Sequence, residues 1–471
     1  MYIYPVRVRL LVVSFLLLST VIAQKGKPIQ TWLTSPTQPV FFRKQVTPVY
    51  FKSKDSARQT VIDINDTERY QSIDGFGFSL TGGSALNLMK MKKEERLALL
   101  QELFGTEKNH IGTSYLRISI GASDLDEKVF SYNDLREGEK DPALKQFDLG
   151  YDKKYLLPVL KEILQINPYI KIMGSPWSPP VWMKNNNDTR GGNLLKSAYP
   201  VYARYFVKYI EAMRKEGIRI DAVTVQNEPL HPGNNPSLQM LANDQAEFVR
   251  DHLGPAFAAA KLATKIIIYD HNADRPDYPI SVLNDPEAKK YIDGSAFHLY
   301  GGTIDALSLV HDKHPDKNIY FTEQWVGAPG NYLGDISWHV ENLIIGATRN
   351  WAKTVLEWNL ASDEFYKPFT DRGGCTSCLA AVTIDHGKKK VIRNPAYYII
   401  AHAARFVRPG SVRIGSNIVD GLPNVAFKTP VGKYVCIVLN KETAIRNITI
   451  RWQNQTANLS IPANSVATYT W

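Results

Sequence analysis

The chain has 471 residues, enough for one α/β barrel with a small companion domain, and its 44% apolar and 22% charged content is that of a globular protein with a large core. The formal charge of +10 is spread over scattered lysines and arginines with no basic stripe, which argues against nucleic acid as a partner. Three cysteines exclude a disulfide-rich scaffold, and without a metal or nucleotide motif no cofactor is expected.

Residues 1–23 read as an export leader. Arg7 and Arg9 give a short basic start, Leu10–Ala23 an apolar run, and Val21-Ile22-Ala23 a small-residue cleavage site. Its removal takes the charge from +10 to +8. No later run is long enough for a comfortable span, so the reading is a secreted or periplasmic protein with no integral membrane segment once the leader is gone. Then come a proline-dotted lead, Gln24–Pro39, and alternating segments PVYFKS and QTVIDIN that fit strands of a small β unit.

From Gly75 the rhythm changes. Strand-like runs occur at 75–80, 115–124, 170–180, 221–229, 265–272, 295–300, 318–325 and 352–360, with helical stretches such as KKYLLPVLKEILQI and YARYFVKYIEAMRKEG between them. Eight such units in sequence predict a (β/α)8 TIM barrel, because near-continuous apolar strands need helices over both faces. A doubly wound open sheet is the rival, but its phosphate-binding glycine turn is missing: Gly75-x-Gly77 is followed by Leu80 where a third glycine is needed.

Ligands of such barrels bind at the carboxyl ends of the strands, where loops replace packed side chains. The fourth run, DAVTVQNEP, ends in Glu228, and the seventh, NIYFTEQW, ends in Glu323, 95 residues later. Most lone glutamates are solvated surface, but two that each close an apolar strand are what acid/base work on a glycosidic bond requires. Other strand ends carry Arg117 and Asp124, Trp177, Asp270 and His271, His298 and Tyr300, and Trp358 and Asn359.

Beyond Pro409 the helical period gives way to alternation between turns such as Asp420-Gly421, which predicts an antiparallel β-sandwich. The strands before residue 70 are expected to join it. The domains are then 1–23 leader, 24–70 first sandwich strands, 71–408 catalytic barrel and 409–471 remainder of the sandwich. Cys375 and Cys378, in GGCTSC, suit a local loop-stiffening disulfide in an exported protein, and Cys436, in YVCIVLN, reads as buried and inert.

GFGFSLTGGSALNL, LRISIGASD, GSPWSPPVW, VTVQNEP, HLGPAF, FHLY and FTEQWVG together resemble glycoside hydrolase family 30, the family of acid glucosylceramidase and microbial β-1,6-glucanases, over essentially the whole mature chain. The resemblance implies a retaining β-glycosidase with Glu228 as acid/base and Glu323 as nucleophile. It places Arg117, Asp124, Trp177, Asn227, His298, Tyr300 and Trp358 at the sugar subsite. Where the glucosylceramidase pattern has a small residue two places after the nucleophile, this chain has Trp325, at the subsite rim. The loops VGAPGNYLGD and ASDEFYKPFTDRGGCTSC are polar and offer no apolar flap for a lipid tail. Both features favour internal cleavage of β-1,6-glucan, with glucosylceramide or a short β-glucoside as the alternative and xylan behind them. A non-catalytic glycan-binding protein is a distant reading, against which both carboxylates and Asn227 stand. A serine esterase would need a Gly-x-Ser-x-Gly elbow, which is absent. Oligomeric state has no signature in the sequence.

Overall fold

A computed structural model describes residues 1–2, 26–53, 60–107 and 110–471, so the expected leader lies almost wholly outside the described residues. Eight parallel strands close into a barrel, the eighth pairing with the first. In order they are Gly75–Ser79, Tyr115–Ser119, Lys171–Ser175, Ala222–Thr224, Lys265–Ala273, Ile292–Gly302, Asn318–Glu323 and Ala352–Glu357. Their lower interior is filled by Tyr115, Met173, Ala222, Ile267, Ala296, Tyr320 and Leu356, a packed layer that makes the barrel a solid core and leaves only its upper end for chemistry. Between strands and helices lies the main apolar core, in which Phe76, Leu160, Phe206 and Ile344 are fully buried.

Strand four is shorter than its apolar run suggests. Val225 still donates its N–H to Ile267, at 3.1 Å, but the chain then turns away, with the Asn227 N–H bonded to the Pro176 carbonyl at 2.8 Å. Glu228 takes a left-handed φ of 45°, a conformation uncommon outside glycine that is held here by its N–H on the Asp270 carbonyl at 2.9 Å. The strand thus ends early and delivers Glu228 over the barrel mouth. Strand five carries a bulge between Tyr269 and His271, which turns Asp270 into the barrel, buried and with φ 65°.

The β-sandwich is built from both chain ends. Pro28–Ser35 pairs with the final strand Ser465–Thr470, and the long strand Thr60–Ser72 runs between Val412–Ser416 and Arg446–Trp452. One pairing departs from the antiparallel expectation: Ile448–Trp452 lies parallel to Thr60–Ile64. On its other side the strand Thr60–Ser72 lies antiparallel to Val412–Ser416, so it joins two C-terminal strands with one pairing of each sense. Cys436 is buried and free. Helix Pro395–Ala404 joins the two units through His402, whose ring nitrogens meet the hydroxyls of Thr34 at 2.7 Å and Thr468 at 2.8 Å. Burial pushes the His402 imidazole down to about 3, so it stays neutral.

Candidate active site

At the upper mouth one oxygen of Glu228, one of Glu323 and a ring nitrogen of His298 lie within 4.8 Å of one another. In glycosidases, carboxyl separations of about 5–5.5 Å accompany double displacement and about 6.5–9.5 Å single displacement. Glu323 ends strand seven and accepts from Arg117 Nη1 at 2.6 Å and from the Tyr300 hydroxyl at 2.9 Å. Glu228 accepts from Asn234 Nδ2 at 3.1 Å and meets His298 Nδ1 at 3.3 Å.

Behind the glutamates is a buried ionic layer organised by Asp270. Its carboxylate receives Arg117 at 2.8 Å, Ser175 and Thr224 each at 2.7 Å, and Thr322 at 2.6 Å, and it meets His298 Nε2 at 3.2 Å. Arg117 also donates to Asn227 Oδ1 at 2.6 Å and sits 4.8 Å from the Trp177 ring centre. These contacts fix the rotamers that aim the two glutamates, although the buried Arg117 Nε has no hydrogen-bond partner among the described residues.

The charges set the proton count. Burial would raise Asp270, but Arg117 and His298 outweigh it and hold the carboxyl well below 3.8. Burial would lower His298, but the charge of Glu323 and the contacts to Asp270 and Glu228 push it up to about 9, so it is an imidazolium at neutral pH. His271, 3.9 Å from Glu228, is driven by burial down to about 4 and is neutral. Three carboxylates (Glu228, Asp270, Glu323) therefore face two cations (Arg117, His298), so that a single proton shared by the glutamates would make the layer neutral. In the empty cleft burial raises both glutamates; the His298 contacts then draw Glu228 down, while Glu228 and Asp270 keep Glu323 up against His298 and Arg117.

The cleft above has a volume of about 360 Å³. Trp177 and Trp358 stack at 5.6 Å on one wall, Asp124 and the Cys375–Cys378 disulfide are beside them, Trp325 packs against the same cluster, and Tyr300 also lines the cleft. Of the sequence-predicted residues, Asp124, Trp177, Glu228, Tyr300, Glu323, Trp325 and Trp358 line this cleft. Arg117 and His298, both fully buried, and Asn227 lie behind it and act on the carboxylates and on each other. Sequence reasoning passed over Asp270 as a site residue although it placed it at a strand end; it also missed Asn272, near the end of the same strand, and His231 and Asn234, which come from a loop without any period to read. Among the described residues Glu228, His298 and Glu323 are the only trio spaced like cation ligands, and Arg117 already supplies Glu323 with positive charge. A larger hollow of about 560 Å³ opens at the opposite end of the barrel, remote from this cluster.

Comparison with known proteins identifies the family. The glycosyl hydrolase family 30 TIM-barrel domain matches residues 73–407, and the glycosyl hydrolase family 30 beta sandwich domain matches residues 410–469. The chain is 32% identical over 444 residues to endo-1,6-beta-D-glucanase neg1 of Aspergillus fumigatus, covering 88% of each chain. It is 28% identical over 442 residues to the lysosomal acid glucosylceramidase of Mus musculus, covering 87% of this chain and 83% of that one. Among solved structures, the endo-beta1,6-glucanase BT3312 superposes with a TM-score of 0.87 at 36% identity, over 94% of this chain and 99% of that one. With a closed eight-strand barrel, a sandwich drawn from both chain ends and two facing glutamates at the strand ends, the chain belongs to glycoside hydrolase family 30 and is a glycoside hydrolase.

Proposed function

We propose that the protein is an exported endo-β-1,6-glucanase that cleaves with retention of anomeric configuration. The observation that carries the mechanism is the approach of Glu228 and Glu323 to within 4.8 Å across one cleft. The substrate rests on the 1,6-glucanase relatives and on Trp325, which narrows the mouth with a bulky ring and leaves the cleft suited to a polar chain. Export rests on the leader-like residues 1–23; among the described residues no helix is long and apolar enough to cross a membrane. Residues 24–70 and 409–471 form the supporting unit around the catalytic barrel.

In this reading Glu323 attacks the anomeric carbon, and the pull of Arg117 and the Tyr300 hydroxyl keeps its charge available. Glu228 carries the shared proton and gives it to the departing glycosidic oxygen, then takes a proton from the water that releases the glycosyl-enzyme. Substrate closes the gap between the empty-cleft balance and this distribution, because a sugar over Glu323 needs its negative charge while the leaving oxygen needs a proton at Glu228. The Asn227 carbonyl oxygen is taken by Arg117, so its NH2 group is the end that donates to the sugar 2-hydroxyl. Trp177 and Trp358 supply the apolar wall, and Asp124 grips outer hydroxyls.

The test is product analysis on β-1,6-glucan, β-1,3-glucan, xylan and glucosylceramide. Oligosaccharides released from β-1,6-glucan alone support the reading. Glucose from glucosylceramide, with β-1,6-glucan left intact, replaces it with the lipid-directed alternative.

A further inference from the structure

The cleft contains one covalent cross-link, Cys375–Cys378, in the loop that follows strand eight. That loop belongs to no barrel strand, yet it touches three parts of the sugar-binding wall. Ahead of the bridge, Thr370 donates its N–H to the Asp124 carbonyl at 2.9 Å and its hydroxyl to the same oxygen at 3.3 Å. Gly374 lies so close that a Cβ there would stand 2.9 Å from that carbonyl. At the bridge, Cys378 is buried in a cluster with Leu125, Trp177 and Trp358, and Cys375 packs on its edge. After it, Cys378–Leu379 pairs with Val326–Gly327, the segment next to Trp325, and Ala328 donates to the Ser377 carbonyl at 2.8 Å.

None of the hydrogen bonds to the Glu228 or Glu323 carboxylates comes from residues 370–378; they come from Arg117, Asn234, His298 and Tyr300. The loop thus holds the walls and leaves the reacting groups to the barrel. We propose that the Cys375–Cys378 bridge is a positioning element for sugar recognition, holding the 370–378 loop against Asp124 and the Trp177–Trp358 pair, so that substrate binding depends on it and the chemical step does not. Joining the two residues removes backbone freedom that a glycine-flanked turn would otherwise keep. The backbone amide of Cys375 also acts on the Asp124 carboxyl, countering part of the push from burial, Glu323 and Glu228 that brings it to about 8.

The inference rests on the glucanase reading, and one experiment separates the two. Full-length wild type and the Cys375→Ala/Cys378→Ala double variant are assayed on soluble β-1,6-glucan, each also in an Asp124→Asn background. Loss of the bridge is expected to raise KM about tenfold, the size of one lost hydrogen bond, with kcat within about twofold. In the Asp124→Asn background the same change is expected to raise KM by less than about twofold, because the contact it supports is already weakened. If the double variant does not fold, dithiothreitol supplies the comparison on wild type: its two thiols become a cyclic disulfide, Cys375 and Cys378 become thiols, and KM should rise alike and recover on reoxidation. An unchanged KM, a fall in kcat alone, or an equal rise with and without the Asp124 carboxyl would overturn the proposal. A wild type that hydrolyses no β-glucan would overturn the functional reading, and this inference with it.

Discussion

Replacing Arg117 by methionine tests the ionic layer most severely. The side chain is fully buried, and its guanidinium bonds Glu323 at 2.6 Å, Asp270 at 2.8 Å and Asn227 at 2.6 Å. Methionine fills much of the same volume but leaves two buried carboxylates with His298 as their only cation. Breaking such a pair from one side costs about 3–5 kcal/mol of folding stability. The lost bond to Glu323 alone is worth about 1.5–3 kcal/mol, or roughly ten- to a hundredfold in kcat/KM. Without the guanidinium Glu323 releases its proton at higher pH, so the acid limb of the rate profile moves upward. Asp270 adds a signature of its own. Its folded value lies well below 3.8, so the stability it contributes is present above that pH and fades as pH falls, and the gap between wild type and variant should narrow in acid. Thermal unfolding and kcat/KM on β-1,6-glucan across pH read both effects. A variant within about threefold of wild type, with an unmoved acid limb, would refute the reasoning.

Further outcomes follow from the same geometry. Glu323→Gln should abolish turnover of β-1,6-glucan with the thermal transition preserved; substantial residual activity would move the nucleophile elsewhere. His298 stands at about 9 against 6.5 when unfolded, so its contribution, at most about 3 kcal/mol, is complete below pH 6.5 and is lost as pH rises towards 9. Urea unfolding of wild type and His298→Asn should therefore converge over that window, and a constant difference would show that the imidazolium is not what matters. His402→Leu strands the hydroxyls of Thr34 and Thr468 where barrel meets sandwich, and should cost about 2–4 kcal/mol by calorimetry. Proton NMR of the first product should show the β-anomer, and initial α-anomer would exclude retention.

The fold was largely legible because its signals are local. Runs such as KIIIYDHN and NIYFTEQW carry the near-continuous apolar pattern of doubly covered strands, and the return to period-two alternation after Pro409 marks the sandwich. Glu228 and Glu323 could be picked out because each closes such a run. What the sequence withheld is convergence. Asp270 ends its run as they do, but its role comes from a bulge that turns it inward to meet Arg117 and His298, and a bulge leaves no mark in the apolar pattern. The roles of Arg117 and His298 depend on depth: both lie beneath the carboxylates rather than on the cleft wall, a distinction of layers that strand order alone does not give. Asn234 reaches Glu228 from an irregular loop whose path is set by tertiary contacts. The parallel pairing of Thr60–Ile64 with Ile448–Trp452 joins segments almost four hundred residues apart, beyond any local signal.

The identity of the group that bonds to sugar carbon can be read directly. Protein stalled with a 2-deoxy-2-fluoro-β-glucosyl donor carrying a good leaving group, then digested and mapped by mass spectrometry, should carry one fluoroglucosyl group on the peptide containing Glu323. The same adduct on Glu228 or another residue, or turnover of the donor with no covalent species, would contradict the account.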